Sequence, residues 1–225
     1  MTLAAPHGRA AEADVQERVT VVQASRRLPE TILIAAFTYV FLANAWLGDD
    51  AYIAFRVIWN VLHGYGLVFN PGERVQAYTH PLWMLVMVGA HAITREFFFT
   101  ALAVSYAFAL ATIIVIVRSA RDMTAGLVAF LWLASSKAFI DYTSSGLEYP
   151  LSFLLLAMFY VRLFAVSNLP LTDRQLRGFG ILAGLCFVNR MDSVLLVAPA
   201  LAWLAFRAIR TREERLMPLL IGFGV

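Results

Sequence analysis

The sequence predicts an all-α protein threaded several times through a membrane. Three observations lead there. Of 225 residues, 60% are hydrophobic and 15% charged, with a mean hydropathy of +0.71, well above the balance of a soluble domain. Apolar runs recur along the chain at helical length. The basic residues, 17 arginines and one lysine, fall in clusters between those runs, where they act as topology signals rather than as a nucleic-acid surface. The lone Cys186 lies in an apolar run, so a disulfide within the chain is excluded and a packing role is expected.

Residues 1–27 are polar, with Arg9, Arg18, Arg26 and Arg27 among acidic residues, and read as a disordered cytoplasmic tail. The first apolar run covers 28–47. Ala43-Asn44-Ala45 imitates a signal-peptidase site, but the charged tail is too long for an ordinary signal peptide and the apolar segment is nearly span-length, so it is read as an anchor. From Asp49 to His63 the pattern is helical. Asp49, Arg56, Asn60 and His63 form one polar stripe against Ile53, Val57, Ile58, Trp59, Val61 and Leu62, which describes an amphipathic helix lying along the membrane. Gly64 or Gly66 can close it with a positive φ. Asn70-Pro71-Gly72 turns the chain. The next apolar run, 81–94, reaches roughly 21 Å at 1.5 Å per residue, short of a hydrocarbon core of roughly 30 Å, so it is placed in the interface. Residues 48–96 thus become an outer loop carrying two interfacial helices. Runs at 97–117, 125–140, 151–166, 178–189 and 193–206, with the start of another at 216, complete a transmembrane domain over 28–225. The last run stops at about half a span, as in the front part of a longer protein.

Charge supports this threading. If 81–94 does not cross, 13 of the 18 basic residues fall on the cytoplasmic side with the N-terminus, and only Arg56, Arg74, Arg95, Lys137 and Arg190 fall outside. "DDAYIAFR" (49–56), "TSSGLEYP" (143–150) and "NRMD" (189–192) then share the outer face. Asp49, Asp50, Glu148 and Asp192, with Arg56 and Arg190, are expected to line one cavity, because ionisable groups at membrane depth are costly and a converging set marks a site.

Each motif also has a structural reading. The Asp pair can cap the amphipathic helix, although one carboxylate suffices, and the second, with Tyr52 and Arg56, points to chemistry. Ser144 or Ser145 can cap the helix after Glu148. Arg190 and Asp192 can be an ion pair at a helical hairpin or part of a binding site. His80, before Pro81, is a candidate metal ligand or hydroxyl partner. No P-loop, dinucleotide fingerprint or Cys/His metal spacing occurs.

Residues 49–83, "DDAYIAFRVIWNVLHGYGLVFNPGERVQAYTHPLW", followed by "TSSGLE" and "NRMDSVLL", resemble the GT-C class of integral-membrane glycosyltransferases. Within it they are most similar to the actinobacterial arabinofuranosyltransferases that use polyprenyl-phosphate-linked arabinose. The resemblance covers residues from about 30 to 210. It implies a GT-C-type core in the bacterial cytoplasmic membrane and transfer of arabinofuranose or a similar sugar, with inversion, from a polyprenyl-phosphate donor to a cell-envelope glycan or lipid acceptor on the outer face. The family's catalytic base, an aspartate just after the first span, maps to Asp49 or Asp50. Arg56 and Arg190 would meet the departing phosphate, and Tyr52, Asn60, His80, Glu148 and Asp192 would line the cavity. A divalent metal cation on Asp50, His80 or Glu148 is a further option in this class. Arg-Met-Asp stands here where the family usually has Arg-Pro-Asp or Arg-Pro-Glu. Members carry further spans and often a soluble outer domain, so the resemblance does not extend to activity of this chain alone. A transporter or flippase, and an inactive truncated fragment, are the rival readings; internal repeats and charge near the bilayer midplane, which a transporter favours, are not seen.

Overall fold

The computed structural model describes residues 30–73, 75, 77–167, 170–210 and 216–224. The expected tail over 1–27 and the basic residues Arg74, Arg212 and Arg215 lie outside the described residues. The described chain is helical and without strands: α1 (Glu30–Ala43), α2 (Asp49–Leu62), α3 (Pro81–Thr94), α4 (Phe98–Ser119), α5 (Met123–Ser135), α6 (Lys137–Thr143), α7 (Tyr149–Ala165), α8 (Asp173–Asn189), a 3-10 turn (Met191–Ser193), α9 (Val194–Arg210) and α10 (Leu216–Phe223). Among the described residues two stretches are long and apolar enough to cross a membrane, Phe98–Ser119 and Met191–Ile209. The pair α5 and α6, bent by 71° at Ser136, adds a third if it is one broken span.

Local chemistry sets these boundaries. Thr172 and Gln175 form a reciprocal capping box that starts α8 five residues ahead of its apolar run. The Asp122 carboxylate accepts from the Ala125 N–H at 2.8 Å to begin α5. Ser136 ends α5 and begins α6, its hydroxyl accepting from the Phe139 N–H, so the apolar run 125–140 is two helices rather than one. Gly64 and Gly66 both take a positive φ after α2, as expected. Pro81 opens α3 at a position where a missing N–H costs nothing.

Two apolar clusters hold the bundle. Phe37 and Phe41 of α1 pack with Ile113 of α4, Phe130 of α5 and Phe139 of α6. The larger cluster joins Val57 and Ile58 of α2 and Trp83 and Met87 of α3 to Phe159 of α7, Leu176 and Ala183 of α8 and Leu204 of α9. The loop carrying α2 and α3 is therefore packed on the bundle and not suspended from it. Arg118 pairs with Glu30 at 2.9 Å and Thr38 meets Tyr106 at 2.7 Å, which runs α1 against α4. Asn189 bonds Ser152 at 2.9 Å and Arg207 bonds the Ser167 carbonyl at 2.7 Å, which runs α8 against both α7 and α9. One end of the bundle thus collects the starts of α7 and α9 and the end of α8; the opposite end collects Arg118, Arg162, Arg174, Arg177 and Arg207.

α8 and α10 approach backbone to backbone. A Cβ at Gly180 would overlap the Leu219 carbonyl oxygen, and one at Gly222 would overlap the Arg177 carbonyl oxygen. Where lipid removes the hydrophobic driving force between helices, such contact between small residues supplies packing energy directly.

Candidate active site

The segment after α6 builds a joint. Ser144 donates its hydroxyl to the Asn44 carbonyl at 3.2 Å, and the Ser145 carbonyl accepts from the Gly48 N–H at 2.9 Å. Trp46 donates its indole N–H to the Asp141 carbonyl at 2.9 Å. Gly146 has φ +80°, and a Cβ there would lie 2.8 Å from Leu47 Cδ2 and 3.0 Å from Ala51 Cβ. Its carbonyl accepts from the buried Trp83 indole at 3.1 Å. Neither serine caps α7, the structural reading that the sequence offered; Glu148 occupies that position without a side-chain cap bond. The serines and glycine instead clamp the α1–α2 connection and α3 onto the start of α7, which carries Asp50 and Glu148 to the same place.

That place is a cleft of about 710 Å³. Asp50, Ile53 and Ala54 come from α2, Ala77 to His80 from the chain ahead of α3, Leu147 to Tyr149 from the joint, and Arg190 to Asp192 from the α8–α9 connection. The three segments singled out in the sequence meet there. Glu148 is only 6% exposed, and its Oε1 pairs with Arg190 Nη1 at 3.0 Å while Oε2 faces His80 Nδ1 at 3.4 Å. Arg190 also bonds Asp192 through Nε at 2.7 Å and stacks over the Tyr149 ring at 4.7 Å. Asn189 donates to the Glu148 carbonyl at 3.1 Å. A buried carboxylate survives only with such partners, and removing one costs about 3–5 kcal/mol in comparable pairs.

His80 is buried beside this network, and its Nε2 has no hydrogen-bond partner. Burial lowers its pKa from 6.5; Glu148 opposes the shift and Arg190 adds to it. The ring is therefore neutral at neutral pH. Below 6.5 the unfolded chain takes up a proton that the folded ring refuses, so this contribution is whole above 6.5 and lost as pH falls below it. His80→Phe is expected to flatten the fall in thermal stability on crossing pH 6.5, read from melting curves on either side.

The remaining expected site residues lie elsewhere. Asp49 is exposed, its Oδ1 accepting from the Asp50 N–H at 3.1 Å. Tyr52 is exposed and edge-on to Phe55. Arg56 donates to the Phe69 carbonyl at 3.0 Å, and buried Asn60 donates to the Val68 and Phe69 carbonyls at 2.8 and 2.9 Å. None of the four lines the cleft. The helix-capping alternative for the Asp pair is not realised as a side-chain bond, for Gly48 is the N-cap; both carboxylates stand in the first turn, where the helix dipole favours them. Tyr149, Thr79 and Met191 line the cleft and were not singled out from the sequence. Tyr149 adjoins Glu148 at a helix start, which was the available signal.

Among the described residues no three His, Cys, Asp or Glu side chains come together to hold a metal ion. Glu148 is already divided between Arg190 and His80, so the side chains present here do not fit a cation.

Two curated proteins are similar to the chain. One, named terminal beta-(1->2)-arabinofuranosyltransferase, from Mycobacterium tuberculosis, is 26% identical over 222 residues, covering 90% of this chain and 35% of the relative. The other, of the same name, from Corynebacterium glutamicum, is 31% identical over 139 residues, covering 54% of this chain and 20% of the relative. The chain thus spans about a third and a fifth of their lengths. No model of a protein family and no solved structure matches it.

Proposed function

We propose that this chain carries the acidic cleft of a membrane glycosyltransferase that moves arabinofuranose, or a similar sugar, from a polyprenyl phosphate to a cell-envelope glycan or lipid. The observation that carries the reading is the meeting of Asp50, Glu148, Arg190 and Asp192, from three distant segments, in one cleft. The similarity to two proteins named as arabinofuranosyltransferases supports it.

A sugar on a lipid phosphate already has a good leaving group, so catalysis needs a base for the attacking hydroxyl and positive charge for the departing phosphate. Asp50 fills the first role from the cleft wall, with Asp49 beside it. Arg190 fills the second; its guanidinium is a third exposed while two carboxylates and Tyr149 hold it in place. Arg56 is turned to the 64–70 loop and is the lesser candidate. The hydroxyl oxygen bonds to the anomeric carbon, its proton passes to the aspartate, and the carbon–oxygen bond to phosphate breaks on the opposite face, which inverts the centre by the facial logic of inverting glycosidases.

The protein is read as a GT-C-type, multi-pass bacterial membrane protein with its cleft outward. The arginine-rich end would be cytoplasmic. Large apolar side chains such as Ile93, Trp132 and Leu195 are 85%, 77% and 74% exposed, a surface suited to lipid. In this reading α2 and α3 lie at the outer interface.

The test is transfer of labelled arabinofuranose from its polyprenyl phosphate to an arabinan acceptor by the protein expressed from its entire reading frame in nanodiscs. The expected product has the inverted anomeric configuration. No transfer, or transfer with retention, overturns the reading.

A further inference from the structure

Within the polar network of the cleft two buried side-chain atoms have no partner, His80 Nε2 and Asn189 Oδ1. Glu148 Oε1 is taken by Arg190, Oε2 by His80 and its carbonyl by Asn189, while Arg190 Nε is taken by Asp192. Of the two unpartnered atoms only His80 Nε2 belongs to a residue that lines the cleft. A neutral imidazole has one N–H and one bare lone pair. With Nδ1 facing a carboxylate the proton belongs on Nδ1, so Nε2 can only accept.

We infer that Nε2 of His80 receives a hydrogen bond from a sugar hydroxyl in the cleft, and that Glu148 fixes the ring for this by holding Nδ1–H. This rests on the glycosyltransferase reading of the same cleft and adds to it a residue that reads the substrate. A phosphate oxygen cannot serve as the ligand, since it brings a lone pair and negative charge to a lone pair. Two further metal-binding side chains, which a cation would need beside Nε2, are not assembled among the described residues. A neutral hydroxyl is the group that sugars supply in number. Nε2 is closed to bulk water and His80 forms part of the cleft lining, so a hydroxyl that reaches this nitrogen displaces no hydrogen bond already made to it. A site built to bond a hydroxyl rejects the analogue that lacks it, because its own polar atom is then left bare. His80 thereby discriminates between sugars, and the hydroxyl belongs either to the transferred sugar or to the acceptor.

The experiment uses the protein from its entire reading frame in nanodiscs and measures affinity in two arms. Methyl arabinofuranoside and its monodeoxy analogues report the acceptor side; a short-chain isoprenyl-phosphoarabinofuranose and its monodeoxy analogues report the donor side. In wild type, one deoxy position in one arm is expected to weaken binding about tenfold, the worth of one hydrogen bond. His80→Phe, which keeps a ring and removes both nitrogens, should weaken the parent sugar similarly and become indifferent to that deoxy position. His80→Gln, whose amide oxygen can accept, should recover part of the loss, and it carries the comparison if the Phe variant melts early. The arm that shows the coupling names the source of the hydroxyl. A deoxy penalty unchanged in both variants, or no deoxy penalty in either arm, overturns the inference. Sugar binding with the expected coupling but without transfer overturns the enzyme reading and leaves the hydroxyl contact standing.

Discussion

Asp50→Asn is expected to abolish sugar transfer while leaving the protein folded and inserted. Asparagine keeps the shape of the side chain and removes its ability to take a proton. A positioned general base is worth about 10²–10⁴ in rate, so turnover should fall by at least about a hundredfold, in kcat more than in KM. Asp50 is exposed, and among the described residues its carboxylate makes no side-chain bond, its N–H alone meeting Asp49, so little stability is at stake. Asp49 stands one residue earlier, outside the cleft, with its carboxylate on the Asp50 N–H. Asp49→Asn should lose less, through the orientation of Asp50 and about 0.3–1 kcal/mol of first-turn charge. Initial rates for both variants decide the assignment. Near-normal turnover by Asp50→Asn, or an equal collapse in both, removes Asp50 as the base.

Gly146→Val is the second large effect, and it acts through structure. A side chain in the left-handed region costs about 1–2 kcal/mol. The new Cβ also meets Leu47 Cδ2 at 2.8 Å and Ala51 Cβ at 3.0 Å, and crowding of a packed site costs about 1–3 kcal/mol more. Leu47 and Ala51 flank the start of α2, so relief of the clash moves Asp50 relative to Glu148. The expected result is a lowered melting temperature together with a loss of transfer greater than unfolding explains. A variant that melts and turns over like wild type would show that the joint does not set the cleft.

Much of this architecture was legible in the sequence, for a physical reason. Apolar periodicity and length placed a separate 14-residue helix at 81–94, where the structure has Pro81–Thr94, and the amphipathic pattern gave α2 to within a residue. The meeting of residues 49–56, 143–150 and 189–192 followed from charge, since ionisable groups in an apolar chain have few places to go. Periodicity identifies a polar face but not what it meets. The stripe through Arg56 and Asn60 holds the carbonyls of Val68 and Phe69, while the cleft takes its α2 residues from Asp50, Ile53 and Ala54. The break at Ser136 was hidden for a related reason: a bend of 71° leaves hydropathy unchanged across the run. The serines of the joint read as caps because Ser favours that role, and only tertiary contact shows that they bond the α1–α2 connection instead.

The backbone contact between α8 and α10 has a mechanical consequence. α8 leans on α10 at Gly180 and Gly184 and presents Arg190 just beyond its last turn, about 15 Å along the axis from Gly180. Touching main chains have no side-chain slack in which to absorb a shift. A displacement of α10 is therefore passed along a stiff rod to the guanidinium, which makes α8 a lever between one end of the bundle and the other.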